Sequence, residues 1–438
     1  MSYIMGQSRD SSVVGQSETE VSEDDLSQAD TELSPLVSET LRIAAEKIRS
    51  GEVVAIPTET VYGIAASIRS ERGLRRIFEI KARPFFDPLI VHVSSLKEAA
   101  TLVQKWPPLA DFIARSFWPG PLTVVLPKSV IVHPLITSGL ETVAIRYPQH
   151  PIALALIREV GAPLAAPSAN KFGHTSPSRV SHVESEFSKE IADGSLMVID
   201  GGDCQVGVES TVIAFGHDRS LNAMDRPSPE DDYNLIRILR PGGVTREMLQ
   251  GALLKWSHQV TLTPMTESAP MRGSNRPIIA SSAGSVGMQT PPDLQPDSPP
   301  DAPAPRDAPL PERISAPGQM KHHYMPRVPL VILTELIRLP FTDSQEAIIR
   351  NALATDLGDE SARDAPKSVE FTRVEELRLN DEPSLAAREL YQEMRRCSEL
   401  GATCLVVYKS AARSGGLWSA IWDRLSKAAS FDFTREVF

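Results

Sequence analysis

Nine prolines fall between Pro291 and Pro311, interleaved with Asp, Ala and Ser, and they exclude a fold built as one continuous body. Proline locks φ and removes a backbone donor. Such a run therefore favours a semi-extended, polyproline-like path and buries too little surface to offset its chain entropy. Across residues 264–317 no apolar periodicity survives. A linker of this kind inside 438 residues, more than one core ordinarily holds, predicts two folded domains.

A second non-folding segment is expected at the N-terminus. Residues 1–40 carry nine acids against one base, Arg9, and so hold eight of the eleven net negative charges. This predicts a solvated, disordered tail over 1–37. The rest of the chain is near neutral and lacks the basic stripe needed to neutralise a nucleic-acid backbone. No apolar run approaches the roughly 18 residues of a membrane span. The acidic, Ser-rich start also lacks the basic and apolar regions of a leader peptide. Cys204, Cys397 and Cys404 are scattered without a CxxC pair, against a disulfide framework or a Cys-based zinc site. A reducing, cytoplasmic setting is expected.

Ser38 is the expected N-cap of a first helix with Leu41, Ala44, Ala45 and Ile48 on one face, stopped by Gly51. Short apolar runs follow at 53–56, 89–93, 122–126, 143–145, 196–199, 212–214 and 236–239. Helical patterns at 95–104, 109–117, 150–160 and 179–192 lie between them. This spacing predicts an α/β domain with a central sheet over 38–256. After a linker over 257–326, strand patterns at 328–333 and 403–407 and amphipathic helices at 384–400 and 417–429 predict a smaller α/β domain over 327–438.

Two motifs stand out as chemistry. Lys81-Ala82-Arg83-Pro84 and Ala166-Pro167-Ser168-Ala169-Asn170 each follow an apolar, strand-like stretch. Together they offer two cations, a hydroxyl and an amide, a set that suits an anionic ligand. Taken singly, the first could be a solvated pair and the second an Asx-turn loop. Pro57-Thr58-Glu59-Thr60 ends the first apolar run, where an open α/β sheet gathers ligands, although a plain turn fits as well. His92 lies inside an apolar run, so a satisfied core residue and a ligand both remain open. Arg146 and Arg240 end apolar runs, and Ser210 begins one. The His322-His323 pair has no evident third ligand, which argues against zinc.

Taken in order, PTETVYG, KARP, PLIVHV, WPGPLT, TVAIRYP, APSAN, VESTV and LRPG resemble the signature of the YrdC-like family over roughly 40–255. The segment APG…HHYMP, followed by a second α/β domain ending in DRLSKAAS, is similar to the two-domain members of that family, the threonylcarbamoyl-AMP synthases. The resemblance implies a twisted central sheet flanked by helices, followed by a smaller Rossmann-like α/β domain. It also implies a reaction: L-threonine and bicarbonate give a carbamate, which attacks the α-phosphate of ATP to form threonylcarbamoyl-AMP and pyrophosphate. A downstream transfer enzyme would then modify the adenosine beside the anticodon of tRNA.

By the same resemblance Lys81, Arg83, Ser168 and Asn170 form the catalytic tetrad. Thr60, His92, Arg146, Ala166 and Ser210 would surround L-threonine. Arg83, Asp87, Thr142, Ser168, Ser176, Arg240 and Tyr324 would surround ATP, with 316–326 acting as a lid. Magnesium is implied with ATP, though no Asp/Glu cluster identifies its ligands. The chain departs from the family pattern in three ways: Asp87 stands where Asn is usual, the linker is long and Pro-rich, and the acidic tail has no counterpart. An RNA-binding YrdC-like module is the alternative, opposed by the charge. The hydrogenase-maturation carbamoyltransferases share the domain but carry Cys-rich zinc motifs that this chain lacks.

Overall fold

The computed structural model describes residues 34–216, 233–263, 324–334 and 373–432, with 339, 342, 347, 349 and 434. The expected tail as far as 33, most of the linker, the lid segment before Tyr324 and the His322-His323 pair lie outside the described residues.

Helix α1 (Pro35–Arg49) leads into β1 (Val54–Ile56) and β2 (Gly63–Ser67), then α2 (Glu71–Lys81) and β3 (Ile90–His92). Helices α3 (Leu96–Thr101) and α4 (Pro108–Phe117) precede β4 (Leu122–Pro127), the short α5 (Pro134–Thr137) and β5 (Thr142–Arg146). Next come α6 (Pro151–Val160), β6 (Leu164–Ala165), α7 (Val180–Glu186), α8 (Ser188–Ala192) and β7 (Met197–Val198). Strands β8 (Thr211–Gly216) and β9 (Leu235–Arg240), helix α9 (Arg246–Leu253) and β10 (Thr261–Thr263) complete the first unit. The second contains β11 (Leu330–Thr334), β12 (Val374–Glu376), α10 (Pro383–Glu399), β13 (Cys404–Lys409), α11 (Gly416–Ala428) and β14 (Phe431–Asp432).

The first unit is one mixed sheet in the order β10-β9-β8-β4-β5-β3-β6-β2-β1-β7. Alternation along β1 sends Val53 and Ala55 into the main core and Val54 and Ile56 under α1 and α6. The second unit is an all-parallel sheet in the order β12-β13-β11-β14. Helices α10 and α11 contribute the buried faces that cover it. The expected α/β class, a large helix-flanked sheet followed by a smaller parallel one, is what forms. Among the described residues no helix is long and apolar enough to cross a membrane.

Four local expectations give way. Helix α1 is capped by Ser34, not Ser38: the Ser34 side chain accepts from Val37 N, and Pro35 at the first turn is already set for helical φ. Residues 77–80 are helical, not strand-like. Ser70 caps α2, which buries Leu74, Ile77, Phe78 and Lys81 on one side and ends at Ala82 in the left-handed region. A four-residue stretch with three apolar side chains is too short to separate the two periods. Strand β10 pairs with β9 inside the region expected to be linker, so the first unit runs to at least Thr263. The helical pattern 179–192 breaks at Phe187 into α7 and α8.

The two units pack directly. Val61, Val208 and Tyr324 join the core of the second unit. Gly207, at φ +76°, lies so close to α10 that a Cβ would meet Arg388 Cα at 2.3 Å and Ala387 O at 2.6 Å. Gly202 has a similar φ of +79° but open space around it. Gly202→Ala should therefore cost only the left-handed strain, ~1–2 kcal/mol, whereas Gly207→Ala should cost clearly more. Equal unfolding midpoints in denaturant for the two variants would show that the units do not meet there.

Candidate active site

Strand alternation places the first side chains. In β3 and β5, Val91, Val143 and Ile145 enter the main core, while Ile90 and Ala144 face a separate cluster with Val125, Val212 and Ala214. His92 and Arg146 share the parity of Ile90 and Ala144, and they are register partners on parallel strands. They therefore stand side by side at the carboxyl ends of β3 and β5, where loops from several strands converge. The β1–β2 loop, the loop after α2, the loop after β6, the segment before β8 and the end of β9 converge on one cleft. Arg83, His92, Arg146, Ala166, Ser168, Ser210, Arg240 and Tyr324 all line it, together with Thr58 and Glu209.

The charges are paired. Arg146 Nη2 lies 2.7 Å from Glu59 Oε1, and its Nη1 donates to Thr60 Oγ1 at 2.7 Å. Arg83 Nη2 is 2.8 Å from Asp87 Oδ2 and also donates to Pro88 O at 2.8 Å. Arg240 Nη2 donates to Ser210 O at 2.9 Å and to Ser210 Oγ at 3.2 Å. Burial lowers Arg83 and raises Asp87, despite the partner each has in the other. Desolvation outweighs attraction in this pair, so the fold holds the pair together and not the reverse. Burial, reinforced by the Arg146 charge, pushes the His92 imidazole down to about 3, so it is neutral at physiological pH. Its Nδ1 lies 3.3 Å from Ile90 O, a carbonyl that can only accept, so the proton sits on Nδ1 and Nε2 is the acceptor.

The two conspicuous motifs are bonded directly to each other. Lys81 is fully buried, and its ammonium donates to the carbonyls of Ser168 and Asn170. In return Phe172 N donates to Lys81 O at 2.8 Å, and Ala169 N to Tyr62 O at 2.7 Å. The motifs thus fuse into one ledge, with Arg83 and Ser168 on the cleft surface and Lys81 and Asn170 behind it. Asn170 Nδ2 donates to Lys171 O at 2.7 Å and His174 O at 2.8 Å. Burial holds the Lys81 ammonium well below its ordinary range, and the nearby Arg83 charge adds to this.

Other expected site residues also lie behind the surface. Thr60 positions Arg146. Asp87 faces Arg83. Thr142 is buried at the far end of β5, opposite Pro127. Ser176 Oγ donates to Glu209 Oε1 at 2.5 Å. Sequence reasoning did not assign Glu209, although it sits in the VESTV motif. A carboxylate just ahead of a buried strand signals a charge that must be paired, and Glu209 is paired with residues of the second unit. The carboxylates beside the cleft, Glu59, Asp87 and Glu209, are each engaged by an arginine. Among the described residues no group of three metal-ligating side chains occurs. The donor set therefore does not fit a protein-caged magnesium.

The family model described as "Telomere recombination" matches residues 46–223, and that of the threonylcarbamoyl-AMP synthase C-terminal domain matches 287–430. The threonylcarbamoyl-AMP synthase of Pyrococcus abyssi is 50% identical over 173 residues, 40% of this chain and 50% of the relative. That of Bacillus subtilis is 42% identical over 211 residues, 48% and 55% of the two chains. The chain thus spans about half the length of these relatives. The Vibrio vulnificus synthase is 30% identical over 46% of this chain and 98% of its own. Among solved structures, Pyrococcus abyssi Sua5 complexed with L-threonine superposes with a TM-score of 0.60 at 30% identity, covering 90% of this chain and 96% of that one.

Proposed function

Because this chain belongs to the threonylcarbamoyl-AMP synthase family, we propose that it makes L-threonylcarbamoyl-AMP from L-threonine, bicarbonate and ATP. The threonine amine attacks the bicarbonate carbon and water leaves. An oxygen of the resulting carbamate then bonds to the α-phosphorus of ATP as the bond to the bridging oxygen breaks and pyrophosphate departs. The product is a mixed anhydride, to be consumed by an enzyme that transfers the threonylcarbamoyl group to tRNA.

The observation that carries this reading is the convergence of Arg83, Arg146 and Arg240 with a neutral imidazole and the hydroxyls of Ser168 and Ser210 on one cleft. Attack at phosphorus needs positioning and neutralisation of developing charge more than a covalent nucleophile. Arg146, His92, Ala166 and Ser210 would take threonine: the guanidinium binds its carboxylate, and His92 Nε2 accepts from a hydroxyl or ammonium. Thr60 orients that arginine. Arg83, Ser168, Arg240 and Tyr324 would take the nucleotide. Asp87, Thr142 and Ser176 would act on it through Arg83, β5 and Glu209. Lys81 and Asn170 keep the Ser168 ledge in place. Magnesium would enter with ATP, bound by phosphate and water.

Purified full-length protein should release pyrophosphate only when ATP, L-threonine and bicarbonate are all present. Release at the same rate without threonine would overturn the assignment.

A further inference from the structure

Arg424 in α11 has no exposed surface at all, although it belongs to a helix on the outside of the second unit's sheet. Burying a guanidinium is costly unless its donors are satisfied. Its partners lie mainly across the domain boundary. Arg424 Nε donates to Glu209 Oε2 at 2.9 Å, and Nη1 donates to Pro241 O and to Asp423 Oδ2. Glu209 is the neighbour of Ser210, and Pro241 of Arg240. One side chain of the second unit thus grips the residues adjoining two cleft groups.

Tyr391 in α10 makes the same connection from another direction. Its hydroxyl lies 3.0 and 3.1 Å from the two Glu209 oxygens. Its ring stacks on that of Tyr324 with centroids 5.9 Å apart, and Arg424 Cζ lies 5.5 Å from the other partner of that stack, the Tyr324 ring. Burial alone would raise Glu209, but Arg424 and Arg240 outweigh it and hold the carboxyl down, to about 2. It is therefore ionised and fully engaged at working pH. At its far end α11 is tied to the first unit too, since Gly416 N donates to Glu247 Oε1 at 3.3 Å.

We propose that Arg424 and Tyr391 of the second domain are positioning residues for the cleft of the first, acting through Glu209 and Tyr324. The second domain then does more than cover the site: it completes the shell that fixes two of its walls. This rests on the proposed synthase reading for the identity of the ligands, ATP and L-threonine.

The test uses the full-length chain and three variants, with steady-state pyrophosphate release, calorimetric binding of ATP and of L-threonine, and thermal unfolding. Tyr391→Phe keeps the ring stack and removes only the hydroxyl, and should raise KM and Kd for ATP or threonine about tenfold with little change in unfolding. Arg424→Met should lower both stability and affinity. Adding Glu209→Gln to it removes the stranded charge and should restore stability while affinity stays low. Recovery of stability and affinity together in that double variant, or unchanged KM and Kd in folded Tyr391→Phe, would reduce the cluster to interface packing and overturn the proposal. Should wild-type protein bind both ligands yet release no pyrophosphate, the synthase reading fails while the binding comparison still decides the positioning role.

Discussion

Replacing Arg83 with leucine is expected to destabilise the protein by ~3–5 kcal/mol, because the Asp87 carboxylate is left without its partner in a dry site. Burial already raises that carboxyl against the pull of Arg83, and without the guanidinium it rises further. A carboxyl raised in the folded state binds its proton more tightly there than in the unfolded chain. Its contribution is therefore fully present below the ordinary aspartate range and is lost as pH climbs through the folded value. The destabilisation should grow from about pH 4 upward. Adding Asp87→Asn should flatten this pH dependence, as read from urea unfolding between pH 4 and 8. Pyrophosphate release should stay low in both variants, since the cleft lacks a cation in each. A pH-independent deficit in the single variant would mean that Asp87 finds water or another partner.

Lys81→Met is expected to lower pyrophosphate release by ~10²-fold or more, although the Lys81 side chain does not line the cleft. Methionine fills the same channel but cannot donate, so the Ser168 and Asn170 carbonyls lose the ammonium that fixes them. The ledge that presents Ser168 would then relax. Hydrogen exchange gives a readout independent of turnover. The amides of Ala169 and Phe172, bonded to Tyr62 O and Lys81 O, should exchange faster in the variant. Unchanged exchange together with wild-type turnover would show that the ledge is held by something else. Arg83 and Lys81 thus differ in kind despite standing two residues apart: one lines the cleft, and the other bonds the backbone behind it.

Much of this was legible in the chain. The ends of the apolar runs located β3, β4, β5, β8 and β9 to within a residue or two, because alternation and strand-end chemistry are local. The motif residues His92, Arg146, Ser168, Ser210 and Arg240 were read as candidates, and the fold gathers them. Where the reading slipped, the deciding force was not local. Residues 77–80 carry both periods, and packing of α2 on the sheet chose the helix. Strand β10 has a weak pattern and exists because β9 offers it a free edge.

The sequence by itself determined two folded units, the order of the motifs along the first, and the arginines and hydroxyls available to its cleft. These depend on period, turn residues and charge within a few positions. Only the tertiary structure decided which groups face the cleft and which stand behind it. Arg83 and Lys81 stand two residues apart in one motif and are both buried, yet partner geometry puts the first on the cleft and the second against the carbonyls behind it. The same holds for Glu209, whose partners Tyr391 and Arg424 lie 182 and 215 residues away in sequence. No local pattern specifies a contact at that separation, and the cost of a lone buried charge requires that it be made.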